Sequence, residues 1–420
     1  MVGGVTDCVL AERKRVLLIA PHSSYRTSPF LEAGGRQGVD VLIASEGKYS
    51  VFGAYAEGLH VDLGRSDEAL ARILQEARRR PFVGVIGTDD ATTELAARAA
   101  AALRLPHNPP DAVRLARRKD LARTCLARRG LPVPGHVCVD LRAPLPPQME
   151  KVRFPCVLKP LALSASRGVI RADTPEQFLR ACARIERLLQ REAVAERDRI
   201  LVEDFIAGVE VAVEGMLTGG VLEILAIFDK PDPLDGPYFE ETYYVTPSRL
   251  DPATQVAIKQ RIAEACHAYG LCEGPIHAEC RVNARGVWIL EVAARTIGGM
   301  CARLFRYGTG HSLEERVLAH ALGGQPASGA LADSAGVLMI PIPEAGILRR
   351  VEGVLAAQRV SYVEEVVIQM REGYELVPWP EGSSYLGFVF ARAPSPAEVE
   401  AALRAAHRCL KIVVAPLWKV

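Results

Sequence analysis

The stretch Ile276–Arg295, IHAECRVNARGVWILEVAAR, decides how the chain is read. Two runs with apolar residues at alternate positions flank Asn283-Ala284-Arg285-Gly286, the pattern of a β-hairpin. With the turn centred near Arg285, Glu279 stands directly across from Glu291. Ile276, Ala278, Cys280, Val282, Trp288, Leu290 and Val292 then share one apolar face, and His277, Glu279, Arg281 and Glu291 share the other. Opposed side chains on such a ladder have Cβ atoms about 4.5–5.5 Å apart, where like charges repel. Two carboxylates so placed either coincide on a half-solvated hairpin or hold a hard divalent cation with oxygen ligands, such as Mg²⁺. Spacing alone leaves both readings open.

The neighbours decide between them. Arg295 follows four residues after Glu291, then Gly298-Gly299, giving E-x-x-x-R-x-x-G-G. An acid on one strand, an acid on the next and this run resemble the magnesium-binding end of the ATP-grasp superfamily. The resemblance implies that Glu279 and Glu291 hold Mg²⁺, or Mn²⁺ in its place, on the phosphates of ATP. It implies that Arg295 is catalytic, stabilising an acyl phosphate, and that His277, Gly298 and Gly299 lie with it on the substrate side. The implied fold class is α/β with α+β lobes: an ATP-grasp fold with an N-terminal Rossmann-like domain and a small β-rich C-terminal domain.

Composition sets the bounds. A chain of 420 residues is too long for one core and suggests several subdomains. The net charge of +1 argues against nucleic acid or membrane as a partner. The 10 cysteines form no C-x-x-C pair, as expected of reduced thiols. The first residues, MVGGVTDCVLAERKR, put charge after the apolar part, the reverse of a signal peptide. No apolar run reaches the ~18 residues of a spanning helix, so a cytoplasmic protein is expected.

Residues 1–110 alternate strand and helix, the pattern of a doubly wound parallel sheet. No G-x-G-x-x-G or G-x-x-x-x-G-K-[ST] follows a strand, so no dinucleotide or P-loop site is expected there. The cluster His22 to Arg26 reads as a polar strand-to-helix turn or a substrate contact, and Asp89 and Asp90 as helix caps. The middle domain, 111–325, divides into a small nucleotide lobe at about 150–205 and a large lobe at about 206–325. A C-terminal α+β domain takes 326–420, with a linker over Pro326 to Gly336.

Upstream of the hairpin, nucleotide-site features come in order. The helix from Asp111 to about Arg129 carries many basic residues, by default a solvated face. In the resemblance, Lys119 is the one that reaches the nucleotide phosphates. Lys159 ends the buried strand FPCVLKP, and the loop Leu161–Gly168 follows, with Ser164, Ser166 and Gly168. Small side chains let backbone N–H groups approach phosphate oxygens, and a strand-end lysine adds a point charge. This resembles the phosphate-covering loop of ATP-grasp proteins, with one glycine where relatives have several, so a stiffer loop is expected.

The string VEDFIAGVEVAVEG resembles the hinge between lobes. It implies that Glu203 lies near the adenine amino group and that Asp204, Phe205 and Ile206 complete the adenine contacts through the backbone. Glu210 would take the ribose hydroxyls, since a carboxylate accepts two hydroxyl hydrogen bonds. Lys230 matches a base near the reacting phosphoryl group and a nucleotide contact; an exposed strand-end lysine is the alternative. The irregular segment Asp232–Pro247 offers Asp235, Glu240 and Glu241 to a substrate ammonium, with Glu240 taken as the contact and ordinary turn acids as the alternative.

Among ATP-grasp proteins the chain resembles most the L-amino-acid ligases, or dipeptide synthetases. The implied reaction activates a carboxylate as an acyl phosphate and joins it to an amine, giving an amide, ADP and phosphate. Partners are then a small-molecule carboxylate and amine, with a homodimer as a further expectation. Many relatives have asparagine two residues after the second acid; here it is Ala293. Other ATP-grasp chemistry (bicarbonate activation, a purine-pathway ligase) and a non-catalytic ATP-binding module remain as alternatives.

Overall fold

The computed structural model describes residues 13–22, 24–46, 58–192, 194, 196–324 and 333–417. The N-terminal leader comparison over residues 1–12, Ser23 of the polar cluster and the 326–332 part of the linker lie outside the described residues. Two compact units emerge. One comprises the described residues of Met1–Pro110 and Glu314–Ala327, the other those of Asp111–Leu313 and Ser328–Val420.

In the first unit, β1 (Arg15–Ile19), β2 (Asp40–Ser45), β3 (Gly58–His60) and β4 (Gly84–Gly87) form a parallel sheet in the order β3-β2-β1-β4. Every residue of β1 is buried, as a central parallel strand covered on both faces requires. Two members of the polar cluster are tied into the turn: Ser24 Oγ donates to Asp89 Oδ2 at 3.0 Å and Arg26 donates to the Thr88 carbonyl at 2.9 Å. Asp89 caps the helix Asp90–Ala102 with a capping box. The helix Leu313–Ala321, expected with the middle domain, packs largely with this unit, where Gln37 donates to the Glu315 carbonyl at 2.7 Å.

The second unit holds two main sheets. In the smaller, β5 (His136–Asp140), β6 (Cys156–Pro160), β7 (Ile170–Ala172) and β8 (Arg199–Asp204) run antiparallel in the order β5-β8-β6-β7. This lobe therefore begins at β5, earlier than the expected residue 150. Thr174 caps the helix Pro175–Gln190, whose Phe178, Ala181, Cys182, Ile185 and Leu189 close the core.

The larger sheet contains β9 (Val209–Thr218), β10 (Val221–Asp229), β11 (Tyr243–Thr246), β12 (Gly274–Asn283), β13 (Gly286–Ala293) and β14 (Ser334–Ile340). A short three-stranded sheet is made by β15 (Gly346–Glu352), β17 (Glu375–Leu376) and β19 (Lys411–Ala415), while β16 (Val363–Ile368) and β18 (Gly387–Ala393) join the larger one. Its order is β13-β12-β9-β10-β11-β14-β18-β16.

The β-rich C-terminal part expected from residue 326 thus shares the larger sheet with strands of the middle of the chain. All of β14 is buried: Leu338 and Ile340 face one core, Val337 and Met339 another. A strand apolar on both faces needs neighbours at both edges, and β14 finds β11 on one side and β18 on the other. Among the described residues no helix is long and apolar enough to cross a membrane.

Candidate active site

The hairpin is where expected, with one irregularity that makes the site. Asn283 pairs with Gly286, half a residue short of a turn centred on Arg285. Uninterrupted, that register would set Glu279 opposite Leu290 rather than Glu291. A β-bulge intervenes: Cys280 pairs with Ile289 and Glu279 with Glu291, leaving Leu290 as the extra residue. The turn register also corrects the expected faces: Val287 and Ile289, opposite Val282 and Cys280, are buried in place of Trp288 and Leu290.

On the other edge of β12, β9 places Glu210 beside Arg281, Ala212 beside Glu279 and Glu214 beside His277. Arg281 Nε donates to Glu210 Oε2 at 2.8 Å, its NH1 to the Ile206 carbonyl at 2.7 Å, and its NH2 to the Leu234 carbonyl. His277 Nδ1 lies 2.8 Å from Glu214 Oε1 and its Nε2 3.7 Å from Glu279 Oε1. Burial alone would lower the His277 pKa, but Glu214 and Glu279 prevail and raise it to about 9. His277, expected on the substrate side, is thus buried between Glu214 and Glu279.

Lys230 Nζ donates to Glu210 Oε1 at 2.8 Å, to Glu279 Oε1 at 3.1 Å and to Glu241 Oε1. Burial opposes its charge, yet the three carboxylates hold its pKa well above the ordinary value. Lys230 is therefore a buried lysine held among three acids, which corrects the alternative of an exposed strand-end lysine. Glu241 is pushed up to about 7 by burial beside Glu279, against the pull of Lys230. Glu279 resists the same burial because Lys230 and His277 hold it well below the usual range.

Oxygens of Glu210, Glu241 and Glu279 lie within 4.8 Å of one another. Of the loop acids, then, Glu241 joins the cluster and Glu240 does not. Burial lifts Glu240 to about 7 and its Oε1 has no hydrogen-bond partner among the described residues.

One cleft gathers most of the expected nucleotide residues: Lys119, Lys159, Ser164, Ser166, Glu203, Asp204, Phe205, Ile206, Glu210, Glu279 and Glu291 line it. Lys119 Nζ donates to the Leu163 carbonyl at 2.9 Å and lies 4.0 Å from Glu291 Oε2. Glu203 takes Lys159 Nζ at 2.7 Å and Arg123 Nε at 2.5 Å. Burial pushes Glu203 toward protonation, but the two cations hold it down at about 2.

Arg123 was not singled out from the sequence, although it sits one helical turn from Lys119 on the helix Lys119–Arg128, a spacing that puts both on one face. Its NH1 and NH2 donate to the carbonyls of Ile289 and Leu290 at 2.6 and 2.8 Å. One guanidinium thus joins the helix, β8 and the bulge. Along the hinge, the Phe205 amide donates to Pro155 at 3.0 Å and the Asp204 carboxylate takes Arg153. No hydrogen bond from the Ile206 amide is found among the described residues.

The Leu161–Gly168 loop is held from the C-terminal part of the chain. Trp379 Nε1 donates to the Ala165 carbonyl at 3.1 Å, the Gly168 amide to Pro380 at 2.8 Å, and Arg167 Nε to Glu381 at 3.2 Å. Ala165 and Ser166 both adopt left-handed backbone, φ 56° and 53°, which only surrounding contacts sustain in non-glycine residues. Gly168 is corrected as a phosphate contact. Its amide is engaged, its φ is 69°, and a Cβ there would lie 2.8 Å from Pro160. Arg295, Gly298 and Gly299 follow β13, do not line the cleft, and Arg295 NH1 donates to the Thr296 carbonyl at 3.0 Å.

The family of ATP-grasp domains matches residues 152–303, a span that runs from β6 to just past Arg295. Residues 152–303 thus carry an ATP-grasp domain. The family described as L-amino acid ligase C-terminal domain 2 matches residues 338–415. The solved L-amino acid ligase from Bacillus licheniformis superposes with a TM-score of 0.84 at 27% identity, covering 96% of this chain and 99% of that one.

Human carnosine synthase 1 is 29% identical over 264 residues, 58% of this chain and 32% of that protein. A D-alanine–D-alanine ligase from Ectopseudomonas mendocina is 29% identical over 175 residues, 41% of this chain and 52% of that protein. The chain thus spans between a third and about half the length of these two curated relatives.

The ATP-grasp match contains Lys159, Glu203, Glu210, Lys230, Glu279, Glu291 and Arg295 but stops short of Lys119 and Arg123. The donor set at the hairpin fits a hard cation, since Glu279 and Glu291, opposed on the two strands, both offer carboxylate oxygens. Ala293, buried and paired with His277, supplies no further ligand.

Proposed function

We propose that this protein is an ATP-dependent ligase that activates the carboxylate of one amino acid and joins it to the amine of a second. One observation carries this function: opposed Glu279 and Glu291 share a single cleft with two lysines and the hinge acids Glu203 and Glu210. The similarity of residues 338–415 to L-amino acid ligases supports amino acids as the substrates.

Adenine would seat at the hinge, with the Ile206 amide as donor and Glu203, anionic beside Arg123, as acceptor for the amino group. Glu210 has acceptor capacity beyond Lys230 and Arg281 for the ribose hydroxyls. Glu279 and Glu291 would hold Mg²⁺, which supplies charge neutralisation on the phosphates. Lys119, Lys159 and Lys230 add fixed positive charge, useful because the charge that develops during transfer meets groups already oriented.

A carboxylate oxygen of the first amino acid then bonds to the γ-phosphorus, the bond to the β–γ bridging oxygen breaks, and ADP leaves. The amine of the second attacks the acyl carbon, loses a proton and expels phosphate, which leaves an amide. Arg295, charged at any working pH and able to bind two oxygens, is assigned to the acyl phosphate. The pinned Leu161–Gly168 loop is assigned to keep water from that intermediate.

Hydroxylamine trapping tests this step. With Mg·ATP, one amino acid and hydroxylamine, the expected products are ADP and the aminoacyl hydroxamate. ADP formed with bicarbonate and with no amino acid would assign a different ATP-grasp chemistry.

A further inference from the structure

The 230–242 connection carries Lys230 and Glu241 to the cleft acids Glu210 and Glu279, yet β10 and β11, which it joins, share a single paired position, Asp229 with Val245. So little ladder cannot by itself fix the separation of the two ends. A different set of contacts spans them. Asp232 Oδ2 accepts from Thr242 Oγ1 at 3.0 Å, and Asp232 Oδ1 accepts from Arg404 NH2 at 2.6 Å. The Arg404 guanidinium carbon lies 4.6 Å from the centre of the Tyr243 ring, and the Tyr243 hydroxyl lies 2.7 Å from His407 Nδ1.

Arg404 Nε also donates to Glu400 at 2.8 Å. Glu400 in turn accepts from Arg249 at 2.8 Å, and Arg249 donates through its backbone N and its Nε to Asp229 at 2.9 and 3.1 Å. Arg404, Glu400 and His407 all lie on the helix Pro396–Cys409, and neither Arg404 nor Asp232 lines the cleft. One arginine therefore touches the residue two past Lys230 and the residue two past Glu241.

We propose that Arg404 is a positioning residue for the reaction: by holding Asp232 and Tyr243 together it fixes the ends of the 230–242 connection, and so the contact between Lys230 and Glu241. A solitary half-exposed ion pair would do little, since such pairs contribute weakly. Here a single guanidinium engages two carboxylates and an aromatic ring, a planar fork that a lysine would not reproduce. The C-terminal helix is thereby part of the catalytic assembly rather than a covering element. The effect on turnover rests on the ligase function proposed above; the geometric effect on the connection does not.

The test uses the full chain with Arg404→Met, Asp232→Ala and the exchanged pair Arg404→Asp/Asp232→Arg. Amide hydrogen exchange is followed across residues 230–242, and kcat and KM for ATP are measured with the amino acids that support turnover. Each single variant is expected to speed exchange there by about tenfold. Each should also lower kcat by about fivefold to twentyfold while changing the KM for ATP by less than about twofold. The exchanged pair should recover at least half of the loss on a logarithmic scale.

Unchanged exchange in Arg404→Met, faster exchange with an unchanged kcat, or an exchanged pair no better than the singles would each overturn the proposal. If the wild type turns over with no amino acid, the ligase function fails on its own, and the exchange results still decide whether Arg404 holds the connection.

Discussion

Replacing Arg123 by methionine keeps an unbranched stem and removes the guanidinium that joins the Lys119–Arg128 helix to Glu203 and the bulge. Glu203 is 2% exposed and would be left with Lys159 alone, and the Ile289 and Leu290 carbonyls would lose their charged donor. The depression of Glu203 from 4.5 to about 2 corresponds to roughly 3 kcal/mol at neutral pH. Breaking a buried pair from one side costs about 3–5 kcal/mol, because the remaining charge stays buried.

The expected loss in urea unfolding is therefore about 4 kcal/mol with an unchanged denaturant slope. A double-mutant cycle with Glu203→Gln should give a coupling of about 2–3 kcal/mol, because the second change removes the orphaned anion. The sign with pH is fixed. A depressed carboxylate contributes its stability above its unfolded pKa of 4.5 and loses it as pH falls toward about 2, so the gap between wild type and Arg123→Met must narrow below pH 4.5. Lys119 shares the helix, so affinity for ATP should fall about tenfold as well. A loss under about 1 kcal/mol, or strictly additive single changes, would refute the pairing as the source of order here.

Further outcomes follow from the same geometry. Glu291→Gln should cut ADP formation by about a hundredfold or more, and unchanged turnover would contradict the metal assignment. His277, raised from 6.5 to about 9, contributes stability that is complete below pH 6.5 and lost as pH rises through 9. The urea midpoint of the wild type should therefore fall relative to His277→Gln across that window, by up to roughly 3 kcal/mol in free energy; parallel curves would place the imidazolium elsewhere. Trp379→Phe keeps an aromatic ring beside Tyr385 but removes the donor to Ala165. The ratio of phosphate released to amide formed should rise about threefold or more, and an unchanged ratio would show that this bond does not protect the intermediate.

The hairpin, the hinge and the two cleft lysines were legible because each is a local pattern: alternation, a turn, a strand ending in lysine. The bulge at Leu290 was not, since a half-residue offset in the turn and an extra residue in the strand cancel at Glu279, and the pair reads correctly for an incomplete reason. Lys230 looked like a strand-end lysine with a choice of roles. Its three carboxylate partners, Glu241, Glu210 and Glu279, come from a loop and two other strands. Arg123 was hidden among many basic residues on its helix, where only tertiary pairing separates a buried arginine from solvated ones. In the C-terminal part the strands were visible but not their partners, because β11 and β18 lie far from β14 along the chain. For the same reason Trp379 and Arg404 carried no signal.

The most direct measurement is phosphate release from ATP and Mg²⁺, with L-amino acids supplied singly and in pairs and the products read by mass spectrometry. Release that depends on a particular pair, with a product mass equal to the two amino acids less water, is the expected result. Tight ATP binding with no release for any pair, or release with no amide product, would contradict the ligase function at its centre.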